Sequence, residues 1–511
     1  MRRFVLLLGM LGMLFLGAGA MMAAPPEFLG GVNNEYEYEE VIFLTGAPIK
    51  FTGTVAVTER DRANGKVITY RFKLAPEDPE IKGKVDRTVT YTTNYTKRTD
   101  KGQTIGQTEV TSYKDTVEIG SDKYVLEDYQ FSKSDIIDNR PASDFYSGNL
   151  QGRKYYSINK NKGKVIVEMS GGNVGYHNFW GSTETQVIDY VIDTEREVLV
   201  KGEEGEADYT VQVSWQGRVR VQASDSMTKN LRYSDNETHF SSFEGGHMRI
   251  TNSEMVSRYD YNLPRMTDGL PHPSSRERGS IQLSKQMAPK IERLIVPKFR
   301  DIGGHWAEDN IRRLYSLDVF DDVADFFLPD IPMTRVEFTK GIMRASNIRL
   351  AAEQSAASGT SSVAARGTRG QVVQESPFVD VESQNQDFKY IKEAVDRGII
   401  KGVSPDEFKP NDPLTRAQAI TIIIRVLGFE GRAPSPGYRT SFTDDARIPS
   451  WAKDSIYVAR EIGLVHGDNF GNINPNKVMT RAEASAMLTR FLEFLERDLQ
   501  RDYRENIMLF Q

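Results

Sequence analysis

Three arginines stand at equivalent places in three short stretches of the C-terminal part of the chain: Met333-Thr-Arg-Val-Glu337, Leu414-Thr-Arg-Ala-Gln418 and Met479-Thr-Arg-Ala-Glu483. In each, a threonine lies three residues ahead of Glu or Gln and an apolar stripe follows, for instance Ile420, Ile423, Ile424 and Leu427. That spacing is a helix start: Thr334, Thr415 and Thr480 accept the third amide, while Glu337, Gln418 and Glu483 reach back to the cap amide. Such a cap stabilises a helix by about 1 kcal/mol. It does not explain Arg335, Arg416 and Arg481, because a cation in the first turn opposes the helix dipole at a cost of about 0.3–1 kcal/mol. Two readings follow. Each arginine is neutralised by an acid such as Asp301, Asp380 or Asp444, or free helix-start amides and a guanidinium together form a donor cluster for a carboxylate or phosphate. The two overlap, since an aspartate can hold the arginine in a ligand-ready rotamer.

Other chemistries find little support. The six histidines, at 177, 239, 247, 272, 305 and 466, show no metal-ligand spacing. No nucleophile elbow or phosphate loop stands out, and Glu203-Glu204 reads as solvated charge. No catalytic residue, metal ligand or cofactor is assigned. A glycosidase needs only two well-placed carboxylates, so a glycan-active N-terminal domain stays as an alternative.

The chain has 511 residues, too many for one core, with 27% charged residues, 39% hydrophobic residues and a net charge of −6. No global positive field exists to attract nucleic acid. Residues 1–20 read as an export signal: Arg2 and Arg3, an apolar run from Phe4 to Leu16, then Ala18-Gly19-Ala20. No later run is long and apolar enough for a transmembrane helix, so retention after secretion needs another device. Cysteine is absent, so disulfides cannot stabilise the exported chain.

Residues 28–262 are dense in Thr, Tyr and Val with period-two alternation, clearest in Phe51–Val57, Val67–Leu74, Lys164–Met169, Val187–Ile192 and Tyr209–Trp215. This predicts an all-β domain, an antiparallel sandwich or an extended meander. An outer-membrane barrel fits poorly, because Thr90–Lys97 lacks the apolar outward positions a lipid face needs. Prolines and polar residues in 263–298 predict a linker, with a short helix over 282–294. Residues 351–377, rich in Ala, Ser, Gly and Thr, predict a flexible insertion.

Three stretches, 299–350, 378–430 and 442–495, align with one another. Each opens on Phe-x-Asp (Phe299–Asp301, Phe378–Asp380, Phe442–Asp444) and continues to an aromatic on a helical pattern, Trp306, Tyr390 or Trp451. A turn follows, Gly398-Ile-Ile-Lys-Gly402 and Gly463-Leu-Val-His-Gly467 in the second and third copies, and then the Thr-Arg helix start. Copies this small must pack on one another to close a core. The pattern resembles the S-layer homology module, marked by Phe-x-Asp, His-Trp-Ala, Gly-Ile-Ile-x-Gly and Thr-Arg-Ala-Glu, over about 200 residues.

The resemblance implies an all-α, pseudo-threefold spindle of three modules whose grooves bind a secondary cell-wall polysaccharide, often a pyruvylated glycan. It implies a secreted protein held non-covalently on the cell wall, with the β-domain displayed. The residues expected at the polysaccharide are Arg335, Arg416, Arg481, Asp301, Asp380, Asp444, Trp306, Trp451, Gly402 and Gly467. The tryptophans would carry a sugar face or else fill helix cores, and the glycines would let the backbone approach the polymer. Asp318 and Asp322 replace turn glycines in the first copy, so an occluded or acidic groove is expected there, and the third copy is the most complete. Self-association into a surface lattice or appendage is the structural alternative.

Overall fold

The structure is a computed structural model and describes residues 30–499 apart from 201–206, 208, 235–245, 268, 297, 321–324, 349–375 and 386. The expected export signal, most of the expected insertion and Asp322 lie outside the described residues. Among the described residues, the N-terminal region is a single antiparallel sheet of 14 strands, 13 of them paired strictly in chain order. These are β1 (Val32–Asn33), β2 (Tyr38–Ile42), β3 (Ile49–Arg62), β4 (Gly65–Pro76), β5 (Gly83–Arg98), β6 (Gln103–Ile119) and β7 (Asp122–Asn139). There follow β8 (Ser143–Ile158), β9 (Gly163–Asn178), β10 (Gly181–Val200), β11 (Tyr209–Ser234), β12 (Gly246–Thr267) and β13 (Leu270–Gln286), while β14 (Lys290–Arg293) pairs with β12. Of the two architectures expected, the meander is the one adopted.

The alternation that predicted strands also sets the curl. On β5, Val85, Arg87, Val89 and Tyr91 are buried while Asp86, Thr88 and Thr90 face outward, and the same one-sided pattern recurs across the sheet. An apolar concave face and a polar convex face are the reverse of what a lipid-facing barrel presents. The sheet rolls around β2, which is buried along its whole length, until its two ends approach. Side chains close that seam: Lys285 reaches Glu37 at 2.8 Å and Glu39 at 2.6 Å, and Ala288 N donates to Glu35 at 2.8 Å. Inside, the buried Arg87 holds Glu40 at 3.0 Å and Asp115 at 2.8 Å beside a cavity of about 90 Å³.

Residues 263–298, expected as a linker with a helix over 282–294, contain instead the end of β12, β13 and β14. The prolines that suggested a break sit where a sheet tolerates them: Pro264 at a register shift between β12 and β13, and Pro271 near the start of β13, which is hydrogen-bonded on only one side. The β-region therefore runs on to Arg293 rather than ending at 262.

The C-terminal region is helical, as the fold class implied. Its described α-helices are α1 (Glu308–Ser316), α2 (Arg335–Ala345), α3 (Phe388–Asp396), α4 (Arg416–Leu427), α5 (Ser450–Glu461) and α6 (Arg481–Glu493). They pair between repeats, α2 on α3, α4 on α5 and α6 back on α1. A backbone ring ties the three helix starts: Met333 N donates to Met479 O at 3.0 Å, Leu414 N to Met333 O at 2.8 Å and Met479 N to Leu414 O at 2.9 Å. None of the described helices is long and apolar enough to cross a membrane.

The two regions share packed core rather than a tether. Trp180, 1% exposed, donates its indole N–H to Ala345 O at 2.9 Å at the end of α2. Ala142 N donates to Val426 O at 3.0 Å, and the Phe145 and Phe429 rings stand 6.3 Å apart.

Candidate functional site

The three Thr-x-x-Glu/Gln elements form complete capping boxes. Thr334, Thr415 and Thr480 accept from Glu337 N, Gln418 N and Glu483 N, and the Glu or Gln side chain returns a bond to the cap amide. The next two amides are also taken, by carbonyls of the neighbouring repeat. Arg335 N and Val336 N donate to Asp412 O and Pro410 O, Arg416 N and Ala417 N to Lys477 O and Pro475 O, and Arg481 N and Ala482 N to Ile331 O and Pro329 O. The expectation of free helix-start amides is therefore corrected: these donors hold the ring of repeats together. Only the side chains are left to meet a ligand.

The aspartates do not neutralise the arginines by direct pairing. Each clamps a loop of its own repeat through two backbone amides: Asp301 on Phe327 and Leu328 at 2.9 and 2.6 Å, Asp380 on Phe408 and Lys409 at 2.9 and 2.6 Å, and Asp444 on Ile473 and Asn474 at 2.9 and 2.8 Å. The second residue of each pair is left-handed, with φ of 56° at Leu328, 56° at Lys409 and 54° at Asn474. The carboxylate bonds offset the strain of that conformation in non-glycine residues. Burial pushes the Asp380 carboxyl up, but the Phe408 and Lys409 amides outweigh it and hold the group below the ordinary aspartate value.

Arg335 and Arg481 lie across the clamped loop of the next repeat, and Arg416 lies against the next repeat's turn. Arg335 sits 4.7 Å above the Phe408 ring and donates Nε to Phe408 O at 2.9 Å. Arg481 sits 4.4 Å above the Phe327 ring, with Glu337 at 4.0 Å. Arg416 reaches His466 O at 3.4 Å. The Nε atoms of Arg416 and Arg481 are buried without a hydrogen-bond partner. Burial draws the guanidinium pKa of Arg335 and of Arg416 below the ordinary arginine value.

Two of the resulting grooves are open. One, about 350 Å³, is lined by Arg335, Lys401, Gly402, Gln418, Arg425 and Trp451, so all three repeats contribute to it. The other, about 310 Å³, joins Arg481 to Glu337, Lys340 and Arg344 and to the aromatic wall of Phe320 and Phe327. The first copy's groove is open and carries the acid Glu337 among its described lining residues, and Asp318 takes the left-handed turn, at φ 58°, that Gly398 and Gly463 take at 71° and 72°.

Trp306 and Trp451 are 63% and 53% exposed, so neither fills a helix core. Gly402 is required internally, since a Cβ there would stand 2.2 Å from Ser404 O and 2.6 Å from Glu407 O. A Cβ on Gly467 would stand 2.9 Å from the Gly471 backbone, so it too answers to its own turn. The sequence reading missed Arg344, Arg425 and Arg490, which recur nine residues after the capping-box arginines. That spacing was visible in the three aligned copies.

Comparison with known families matches residues 298–339, 377–420 and 441–485 to the S-layer homology domain. Among similar proteins, a Bacillus sp. endoglucanase is 37% identical over 135 residues, 25% of this chain and 14% of the relative. A Lysinibacillus sphaericus surface-layer 125 kDa protein is 32% identical over 119 residues, 23% of this chain and 10% of the relative. An Acetivibrio thermocellus cellulosome-anchoring protein is 35% identical over 98 residues, 19% and 22%. The matches thus span less than a quarter of the length of these relatives. Residues 298–485 contain three S-layer homology domains, and the chain that carries them is a protein of the cell surface.

Proposed function

We propose that this chain is moored non-covalently to the cell wall by its three S-layer homology domains, through side-chain contacts to an anionic, pyruvylated secondary cell-wall polysaccharide. The observation that carries the reading is the repeated seat of one guanidinium on the next repeat's loop, opening into grooves where Arg335 meets Trp451 and Arg481 meets Lys340 and Arg344. A carboxylate suits a guanidinium with unspent donors, and a sugar ring suits an exposed indole beside it. In this reading Asp301, Asp380, Asp444, Gly402 and Gly467 act at one remove, by shaping the loops on which the arginines and Trp306 or Trp451 present themselves.

The β-region is, in this proposal, the displayed part and not an enzyme. Its concave face is filled with apolar and aromatic side chains, and the space beside Arg87 is only about 90 Å³, far below the ~300 Å³ and more of typical ligand clefts. The match covers only 14% of the endoglucanase, so its name carries no activity to this chain. The test is a pull-down of the mature chain on wall sacculi before and after the glycan is stripped. Retention is expected on intact sacculi only, reduced at least tenfold in Arg416→Ala/Arg481→Ala. Undiminished binding of a folded double variant, or equal binding to stripped sacculi, would overturn it.

A further inference from the structure

One carboxylate oxygen inside the rolled sheet holds both an amine and a carboxamide. Glu184 Oε1 accepts from Lys133 Nζ at 3.4 Å and from Asn173 Nδ2 at 3.1 Å, while Tyr146 donates its hydroxyl to the other oxygen at 3.3 Å. Lys133 is 7% and Asn173 4% exposed. Strand register builds this meeting. Asp135, Gly148, Asn173 and Gln186 stand in one cross-strand row over β7 to β10, and Lys133 and Glu184 flank that row on either side, two residues away along their strands.

Gly148 is what lets the row close. A Cβ there would stand 2.2 Å from Asp135 Oδ1 and 2.8 Å from Asn173 Oδ1, so both oxygens converge on the space a larger residue would fill. Both are buried and have no hydrogen-bond partner. Two acceptors facing one buried point are costly unless a donor lies between them, and either a proton on Asp135 or a turned Asn173 amide supplies one. Burial, with Glu184 nearby, raises the Asp135 carboxyl above its usual value despite Lys133 beside it. A protonated Asp135 would donate to the Asn173 carbonyl and polarise it.

We propose that Lys133 and Asn173 join spontaneously through an amide bond between their side chains, with Glu184 as the proton carrier and Asp135 as the acid on the carbonyl. Burial works the other way, yet Glu184 and Asp135 hold the Lys133 ammonium above its ordinary pKa and Lys133 holds Glu184 below its own. Passing one proton from Lys133 to Glu184 is therefore the uphill step, after which the neutral Nζ attacks Asn173 Cγ. The Nζ–Cγ bond forms as the Cγ–Nδ2 bond breaks, a second Nζ proton leaves with Nδ2 as ammonia, and the third remains on the new amide. Glu184 ends protonated, so the ion pair disappears from the interior and charge balances. No oxidant, cofactor or further reactant is needed. Lys133 and Asn173 are held on the same carboxylate oxygen, and that shared anchor is the source of the effective concentration that an unactivated carboxamide requires. The product ties β7 to β9 across β8 in an exported chain that has no cysteine with which to make any other covalent tie.

Peptide mapping of the purified, folded chain by mass spectrometry decides the matter without any variant. The expected result is one branched peptide linking Lys133 to Asn173, lighter by one ammonia than the two separate peptides. Separate peptides with intact Lys133 and Asn173 would overturn the proposal, as would an ammonia loss confined to a linear peptide through Asn173, which is cyclisation onto the backbone. A water loss between Lys133 and Asp135 would equally overturn it. Lys133→Arg and Glu184→Gln are each expected to lose the branched peptide, and persistence of the link in folded Glu184→Gln would remove Glu184 from the chemistry.

Discussion

At the scale of single residues, each aspartate of the Phe-x-Asp motifs clamps two backbone amides. Asp380 fixes two amides of the loop on which Arg335 rests, with Lys409 held left-handed. Asp380→Asn leaves one acceptor oxygen for two donors and is expected to cost about 1.5–3 kcal/mol, read by chemical denaturation. The pH dependence follows from the same bonds. Because the folded carboxyl titrates below the unfolded one, its contribution is complete above the ordinary aspartate value of about 4 and is lost as pH falls through the folded value. Acid titration of the variant should therefore show a shallower fall in stability below about pH 4 than the parent. The sequence exposed these aspartates as repeated and polar, but not their partners, since a carboxylate–amide clamp 26 to 30 residues away leaves no local pattern.

Elements were more legible where the physics is local. The capping threonines were readable because cap, third amide and return bond fall within four residues. Thr415→Ala is expected to lower stability by about 1 kcal/mol, measured as a shift in the thermal midpoint with the helical signal retained. Strands were readable over Lys164–Met169 of β9, Val187–Ile192 of β10 and Tyr209–Trp215 of β11, where Val165, Val167, Ile188, Ile192 and Trp215 face inward. The full lengths of β9 and β10 were not, because Asn173 and Glu184 break the apolar alternation while still facing inward. The edge strand β13 was misread for the reason that makes it an edge: its proline and charges discourage further pairing. The reach of Arg335, Arg416 and Arg481 onto the following repeat was hidden as well, since it depends on the ring of inter-repeat backbone bonds rather than on any one repeat's sequence.

On the scale of the whole molecule, the hydrophobic core that holds the helices also contains Ala142, Tyr176 and Trp180 of the sheet. Removing Trp180 should therefore damage both regions. Trp180→Ala is expected to cost about 3–5 kcal/mol and to split one calorimetric unfolding transition into two, whereas an unchanged single transition would mean the joint contributes little. An apolar joint of this kind would be expected to slip, but an indole locked to the Ala345 carbonyl and a strand amide locked to Val426 give it fixed register. If the chain is moored as proposed, a mount built this way has no swivel. Whatever drags on the far tips of the sheet reaches the envelope as a torque, so the angle at which the outer face meets the surroundings is set during folding and not by the flow around the cell.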